Sequence, residues 1–333
     1  MARHANADSM EAAARELGFS WHTAPYEMLG TGLVETVPVI FEWVSSGLEG
    51  AAVIRSVFDP PLALDLRATS REPGGNRRVY EITSAFPPAA DVILSEWVRA
   101  SLEATSPAAT IEIDDHHAEL RRALHGAVES SDFVDDIRRF ARAMRVLREA
   151  RSTAPVMTAL SRHAAVLAEY ARQSDLTTWN VPPCAFGRIA HGSIEVHIVR
   201  LAGAFGIAGA LRFEHELQVG LDLVPTASLP TLSRVWATLS GADVKIGDDS
   251  FDAKFVIRTT RPAEVGAVLG PTVRSAISSA NARYGAMRVN DKGVNIGPIP
   301  MDDEHPQQIA DVATTLTVLG EAFAGGASPR PYR

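Results

Sequence analysis

Apolar residues recur along this chain in two rhythms, and the slower one marks two long helices. Ile137, Phe140, Met144 and Leu147 follow the i, i+3, i+7, i+10 spacing of one helical face, and Ile309, Val312, Leu316 and Leu319 reproduce it position for position. The faster rhythm alternates every second residue and predicts strands. Gly32-Leu-Val-Glu-Thr-Val37 and Gly192-Ser-Ile-Glu-Val-His197 read this way. So does the run Leu211, Phe213, His215, Leu217, Val219, Leu221 and Leu223, which predicts a strand with His215 packed inside and Arg212, Glu214, Glu216 and Gln218 on the opposite face.

Laid end to end, the two rhythms occur twice in the same order. Helical stretches from about Ser9 to Leu17 and from about Pro155 to Ser174 each lead to a Trp and then a Pro, in Trp21-His-Thr-Ala-Pro25 and Trp179-Asn-Val-Pro-Pro183. Arg55 and Arg212 precede Leu64-Asp-Leu-Arg-Ala-Thr69 and Leu221-Asp-Leu-Val-Pro-Thr226, and Val79-Tyr-Glu-Ile-Thr-Ser84 matches Phe255-Val-Ile-Arg-Thr-Thr260. A helix with Leu94, Val98, Arg99 and Leu102 matches Leu269, Val273, Arg274 and Ile277. Hairpins at Thr110 to Leu120 and Met287 to Ile296 follow, and then the two closing helices. The order implies an internal duplication. Strands grouped with hairpins, without alternating crossover helices, predict an α+β fold and not a doubly wound parallel sheet. The expected division is 1–152 for the first repeat, 153–324 for the second and 325–333 for a frayed Gly-, Pro- and Ser-rich tail.

Composition adds exclusions. At 333 residues with 46% hydrophobic and 22% charged residues, the chain has the make-up of a globular protein of about two domains. The only cysteine, Cys184, has no partner for an intramolecular disulfide, and no Cys/His spacing suits a zinc ribbon. The first residues lack the apolar core of a secretory signal, so a cytoplasmic protein is expected. The apolar stretch from Leu201 to Leu211 falls well short of the ~20 residues of a membrane span. A net charge of −8 argues against a nucleic-acid partner.

Each cluster of reactive residue types has a plain structural alternative. Asp114-Asp-His-His117 carries metal-ligand chemistry, but its counterpart is the turn Asn290-Asp-Lys-Gly293, so a solvated turn is expected. Glu214-His-Glu216 suggests acid–base work, and the alternation makes His215 a packed residue instead. Cys184 near His191 and His197 suggests a thiol nucleophile, yet its counterpart is Tyr26, which favours a buried structural position. Gly203, Gly206 and Gly209 do not form a phosphate-binding motif. The stripe Arg138, Arg139, Arg142, Arg145, Arg148 and Arg151, preceded by Glu129, Asp132, Asp135 and Asp136, suits an exposed helix aligned with its dipole. No catalytic, cofactor-binding or metal-binding residue is assigned, and an enzyme is the less favoured reading.

Two features point to binding. The last helix is nearly uncharged between Asp311 and Glu321, which makes Val312, Leu316 and Leu319 the candidate interface, against a protein partner or a second copy. Arg55 with Asp65 and Arg212 with Asp222 recur in both repeats, as do Arg99 and Arg274, and the first four are the candidate groove. Phe251-Asp-Ala-Lys-Phe-Val-Ile257, Leu269-Gly-Pro-Thr-Val-Arg274 and Val289-Asn-Asp-Lys-Gly-Val294 resemble a module of uncharacterised bacterial proteins, a resemblance that implies an α+β fold and carries no activity. The first repeat departs from it at Asn76-Arg-Arg-Val-Tyr80. The expected function is a non-enzymatic binding or assembly module. The alternatives are a small-molecule or lipid carrier with a cavity lined by Leu217, Val219 and Leu221, and a hydrolase-like enzyme with a site between the repeats.

Overall fold

The computed structural model describes residues 2–24, 27–46, 49–71, 79–104, 109–229 and 243–326. Tyr26, Asn76 to Arg78 and residues 327–333 of the expected tail lie outside them. The chain divides into two compact units, Met1–Met157 with Trp179–Pro182, and Thr158–Thr178 with Pro183–Arg333.

In the first unit helix α1 (Ala2–Glu16) precedes β1 (Ser20–Ala24), β2 (Glu27–Val34), β3 (Val37–Ser46), β4 (Glu49–Val57), β5 (Arg67–Arg71) and β6 (Val79–Thr83). Helices α2 (Pro87–Ile93) and α3 (Glu96–Glu103) lead to the hairpin β7 (Ala109–Asp114) and β8 (His117–Leu124), and α4 (Ser130–Thr153) closes the unit. The eight strands pair in the order β1-β2-β3-β4-β8-β7-β5-β6. Val37, Val39, Phe41 and Trp43 alternate onto the buried face of β3, where Phe41 meets Phe133 of α4 at 5.6 Å between ring centroids. Gly32 and Gly50 keep this face low: a Cβ at either would sit 2.2 or 2.3 Å from the rings of Phe19 and Trp43 that cover them.

The second unit repeats the plan. Helix α5 (Ser161–Gln173) precedes β9 (Thr177–Asn180), β10 (Pro183–Ile189), β11 (Gly192–Leu201), β12 (Ala204–Phe213) and β13 (Asp222–Pro225). The one-turn helix α6 (Asp249–Asp252), β14 (Phe255–Arg258), α7 (Pro262–Val268), α8 (Pro271–Tyr284), the hairpin β15 (Met287–Asn290) and β16 (Gly293–Pro300), and α9 (Gln308–Gly326) complete it. Its strand order, β9-β10-β11-β12-β16-β15-β13-β14, is that of the first sheet, strand for strand. The fold is therefore α+β, with two similar halves built on antiparallel sheets.

The duplication extends to single hydrogen bonds. Asp114 Oδ1 accepts the N–H groups of His116 and His117 at 2.7 and 2.8 Å, and Asn290 Oδ1 accepts those of Lys292 and Gly293 at 2.9 and 3.1 Å. The next residue, Asp115 or Asp291, holds the loop before β5 or β13. Asp115 accepts from Leu64, Asp65 and Leu66, and Asp291 from Gly220 and Leu221. Left-handed residues stand at Ala63 and Asp65 in one loop and at Gln218 and Gly220 in the other. Arg99 Nε donates to Leu94 O at 2.6 Å, and Arg274 donates to Leu269 O at 2.9 Å.

Three details of the sequence reading are corrected by this geometry. The alternation through Gly32 to Val37 is not one strand, because Glu35 and Thr36 are both left-handed and close the β2–β3 hairpin. The run from Leu211 to Leu223 breaks after Phe213: residues 214–221 form a loop, and His215 is exposed instead of packed. The recurring arginines and aspartates are not counterparts. Pairing of β4 with β8 and of β12 with β16 sets Arg55 opposite Glu119 and Ala210 opposite Asn295, so Arg55 corresponds to Ala210 and Arg212 to Val57. Likewise Arg67 faces Asp114 and Asp222 faces Asn290, which matches Asp222 to Arg67 and Asp65 to Gly220. A slip of two residues preserves which face each side chain occupies, and alternation alone does not detect it.

Candidate functional site

The residues named from sequence as a groove do not converge. Arg55 lies in a charged network across the first sheet, where its Nη2 is 2.7 Å from Glu119 and 3.2 Å from Glu42, and Arg121 meets Glu119 at 3.4 Å. Asp65 is in the loop held by Asp115. Arg212 is exposed and donates to Asn295 at 3.4 Å, while Asp222 pairs with Arg288 at 2.8 Å. These are separate structural contacts, and the expected Arg55–Asp65 and Arg212–Asp222 pairs are absent among the described residues.

Burial by itself pushes the Glu119 carboxyl up, but the hydrogen bonds and charge of Arg55, with Arg121 behind it, outweigh burial and hold it below the ordinary range. A depressed carboxyl contributes stability that is complete above its unfolded pKa and is lost as pH falls through its folded pKa. In Arg55→Met the Glu119 pKa is expected to rise in a carboxyl NMR titration, and the stability lost on acidification between its unfolded and folded pKa should shrink. An unchanged Glu119 titration would show that the pair does not control it.

The reactive clusters also resolve into structure. Asp115 is raised above the usual aspartate range by burial, against the backbone N–H groups of Leu66, Leu64 and Asp65. An open cavity of about 380 Å³ beside it is lined by Asp65, Arg67, Thr83, Asp114 and His116, and no group of three or more His, Cys, Asp or Glu among the described residues is arranged to hold a metal ion. Cys184 and His197 are cross-strand neighbours, with His197 Nδ1 2.8 Å from Glu195. Sequence distance concealed that proximity, but Cys184 is only 1% exposed, which keeps its thiol from substrate. Val219 and Leu221, named for a carrier cavity, are 3% exposed in the loop before β13.

The candidate interface is corrected as well. Val312, Leu316 and Leu319 are fully buried on the inner face of α9, and a Cβ on Gly209 of β12 would lie 2.8 Å from both Val312 and Leu316. An apolar stripe at helical spacing first covers its own sheet. The outward ridge of α9 is a different set: Thr314, Val318 and Glu321 are exposed, Val318 at 49%.

Beside that ridge runs an open groove of about 950 Å³ between α8 and α9. Thr272, Ser275, Ser279 and Arg283 form its α8 wall, and Ala276, Ala280, Thr315 and Ala322 are among its other lining residues. The hydroxyls of α9 are already engaged. Thr314 donates to Ala310 O at 2.9 Å, and Thr315 donates to Asp311 O at 2.8 Å and meets Tyr284 Oη at 3.2 Å. What this wall offers a ligand is therefore mainly methyl surface. Charge is confined to Arg283, which is paired with Asp311, and to Glu321.

In the first unit α4 turns its arginines toward α1 and the β2–β3 turn. Arg142 and Arg145 reach Glu35 at 3.4 and 3.0 Å, Arg148 donates to Thr36 O, and Arg138 pairs with Glu16. The basic stripe thus clamps the β2–β3 turn. By the helical register that matches Ile137 to Ile309, Arg138, Arg142 and Arg145 correspond to Ala310, Thr314 and Thr317. The loss of these charges was legible in the sequence, although the exposed ridge of α9 is the helix face opposite the one first chosen.

No protein-family model and no curated protein matches this sequence at a significant level. Among solved structures, the crystal structure of the mycobacterial trehalose monomycolate transport factor A is similar over 43% of this chain and 97% of its own, at 12% identity and a TM-score of 0.32. That similarity is too low to bear on fold or function. Among the described residues no helix is long and apolar enough to cross a membrane.

Proposed function

We propose that this protein is a non-enzymatic binding module that docks a helical protein segment in the α8–α9 groove of its second repeat. The observation that carries this reading is the groove itself, open along its length, lined by small side chains and flanked by the half-exposed Val318. Small residues let a docked helix approach closely, and an open trough suits helix-in-groove recognition better than enclosure of a small ligand. A cytoplasmic setting accords with the single buried cysteine.

Native mass spectrometry of the full chain tests the reading, with Ala276→Trp as the variant that fills the groove. The expected result is a polypeptide-only assembly that dissociates in Ala276→Trp. A stoichiometric small molecule that survives purification and is lost in Ala276→Trp would overturn protein docking in favour of a carrier.

A further inference from the structure

We infer that the partner of the α8–α9 groove is a second copy of this chain, joined about a two-fold axis that passes beside Val318. The inference rests on the groove being a helix-docking site, and three observations carry it further.

The surface is self-complementary in shape. An isologous interface requires one patch to supply both knob and hole. Here the knob is Val318, the most exposed large apolar residue of the second unit among the described residues, and the hole is the groove that runs immediately beside it, lined by Ala276, Ala280 and Ala322. Crossing two α9 helices in antiparallel sense at Val318 puts each valine over the groove of the other copy.

The surface is also self-complementary in charge. Glu321 lies three residues beyond Val318, about 4.5 Å along the helix axis. In the antiparallel crossing it arrives at the level of Thr315 in the other copy, which is three residues before the axis. Thr315 is bonded to Tyr284 of α8, the neighbour of Arg283. Glu321 of each copy therefore comes to Arg283 of the other. Within its own chain Glu321 makes no ion pair among the described residues, whereas Arg283 is held on the rim by Asp311. The pairing supplies a counter-charge to a lone acid at each end of an otherwise neutral contact.

The third observation is the contrast between the repeats. At the position of Val318 the first unit carries Val146, partly buried and packed against its core, and at that of Thr314 it carries Arg142, tied down on Glu35. Without an exposed apolar knob, and with an arginine on the wall, the first repeat does not offer the contact that the second allows. Self-association through only one of the two repeats ends at a dimer and does not continue into a filament.

Sedimentation equilibrium on the full chain, together with cysteine crosslinking, tests this. The wild type is expected to be dimeric, and Val318→Arg should weaken association by at least ~30-fold with an unchanged circular dichroism spectrum. Under mild oxidation Val318→Cys should give a disulfide-linked dimer. Trp97→Cys, an exposed position on α3 of the first unit, should not, and wild type with only the buried Cys184 should not either. A monomeric wild type whose groove retains no small molecule would overturn the second copy as partner and leave the docking reading in place. A dimer that persists in Val318→Arg and does not crosslink through Cys at 318 would also overturn it, by locating the contact elsewhere. A retained small molecule lost in Ala276→Trp is the different failure, that of the docking reading itself.

Discussion

Arg151→Met is expected to lower the unfolding free energy by about 3–5 kcal/mol, the range for stranding one side of a buried charged hydrogen-bond network. Arg151 stands at the C-terminal end of α4 with no exposed surface. Its Nε donates to Val181 O and its Nη2 to Pro60 O, both at 2.7 Å, and the guanidinium lies 4.1 Å from the ring centre of Trp179. One planar group thus joins the closing helix, the loop after β4 and the segment Trp179–Pro182, which clusters with the first unit although it lies some way along the chain. Methionine fills much of the volume but donates nothing, so two buried carbonyls lose charge-assisted partners. Lysine keeps the charge without the planar fork, and Arg151→Lys should fall between wild type and methionine. Urea unfolding followed by circular dichroism measures both. A loss below about 1 kcal/mol for Arg151→Met would mean that water replaces the guanidinium at those carbonyls.

Arg151 also shows where the sequence could be read and where it could not. It was visible as the last member of a basic stripe, and the dipole argument suited it to an exposed helix end. The other arginines do lie near the surface, but this one turns inward because the unit needs a donor for carbonyls that arrive from distant segments. Periodicity reports which residues share a face and carries no information about such long-range acceptors. The same limit explains the two-residue slip between Arg55 and Arg212. Alternation fixed the parity of β4 and β12, whereas the true register is set by their pairing with β8 and β16, distant partners that leave no mark in local periodicity. The helices were read more securely. Val98 and Leu102 against Val273 and Ile277 are buried on α3 and α8, since helical spacing constrains a face more tightly than alternation does, whereas Leu94 and Leu269, also buried, stand in the breaks before those helices and not in one continuous helix. The groove between α8 and α9 was only half legible. Its uncharged outer surface stood out in the sequence, but Thr314, Val318 and Ala322 are too small to register as an apolar stripe beside the stronger inner one.

The inner stripe itself gives the other large effect. Leu316→Arg is expected to unfold the second unit or to cost more than about 4 kcal/mol, because it places an unpaired charge in an apolar layer. Leu316 is fully buried beside Val312 and Leu319, and the sheet beneath has no slack: the backbone of Gly209 is so close that even its missing Cβ would lie 2.8 Å from Leu316. An arginine there has no room to extend along β12. A sequence-level expectation that Leu316 marks an interface predicts the reverse, a folded protein that fails to associate. The two outcomes separate cleanly in a thermal melt of Leu316→Arg beside Val318→Arg, two residues apart on one helix. The structure requires a collapsed or absent transition for the first and a native far-ultraviolet spectrum for the second. If Leu316→Arg instead melts like wild type, α9 is not seated on β12 and the groove beside Val318 loses its floor. The inner face must be intact for the outer face to present a fixed surface, and that dependence makes Leu316 a residue of stability, while Val318 on the outer face is the one whose substitution leaves the fold in place.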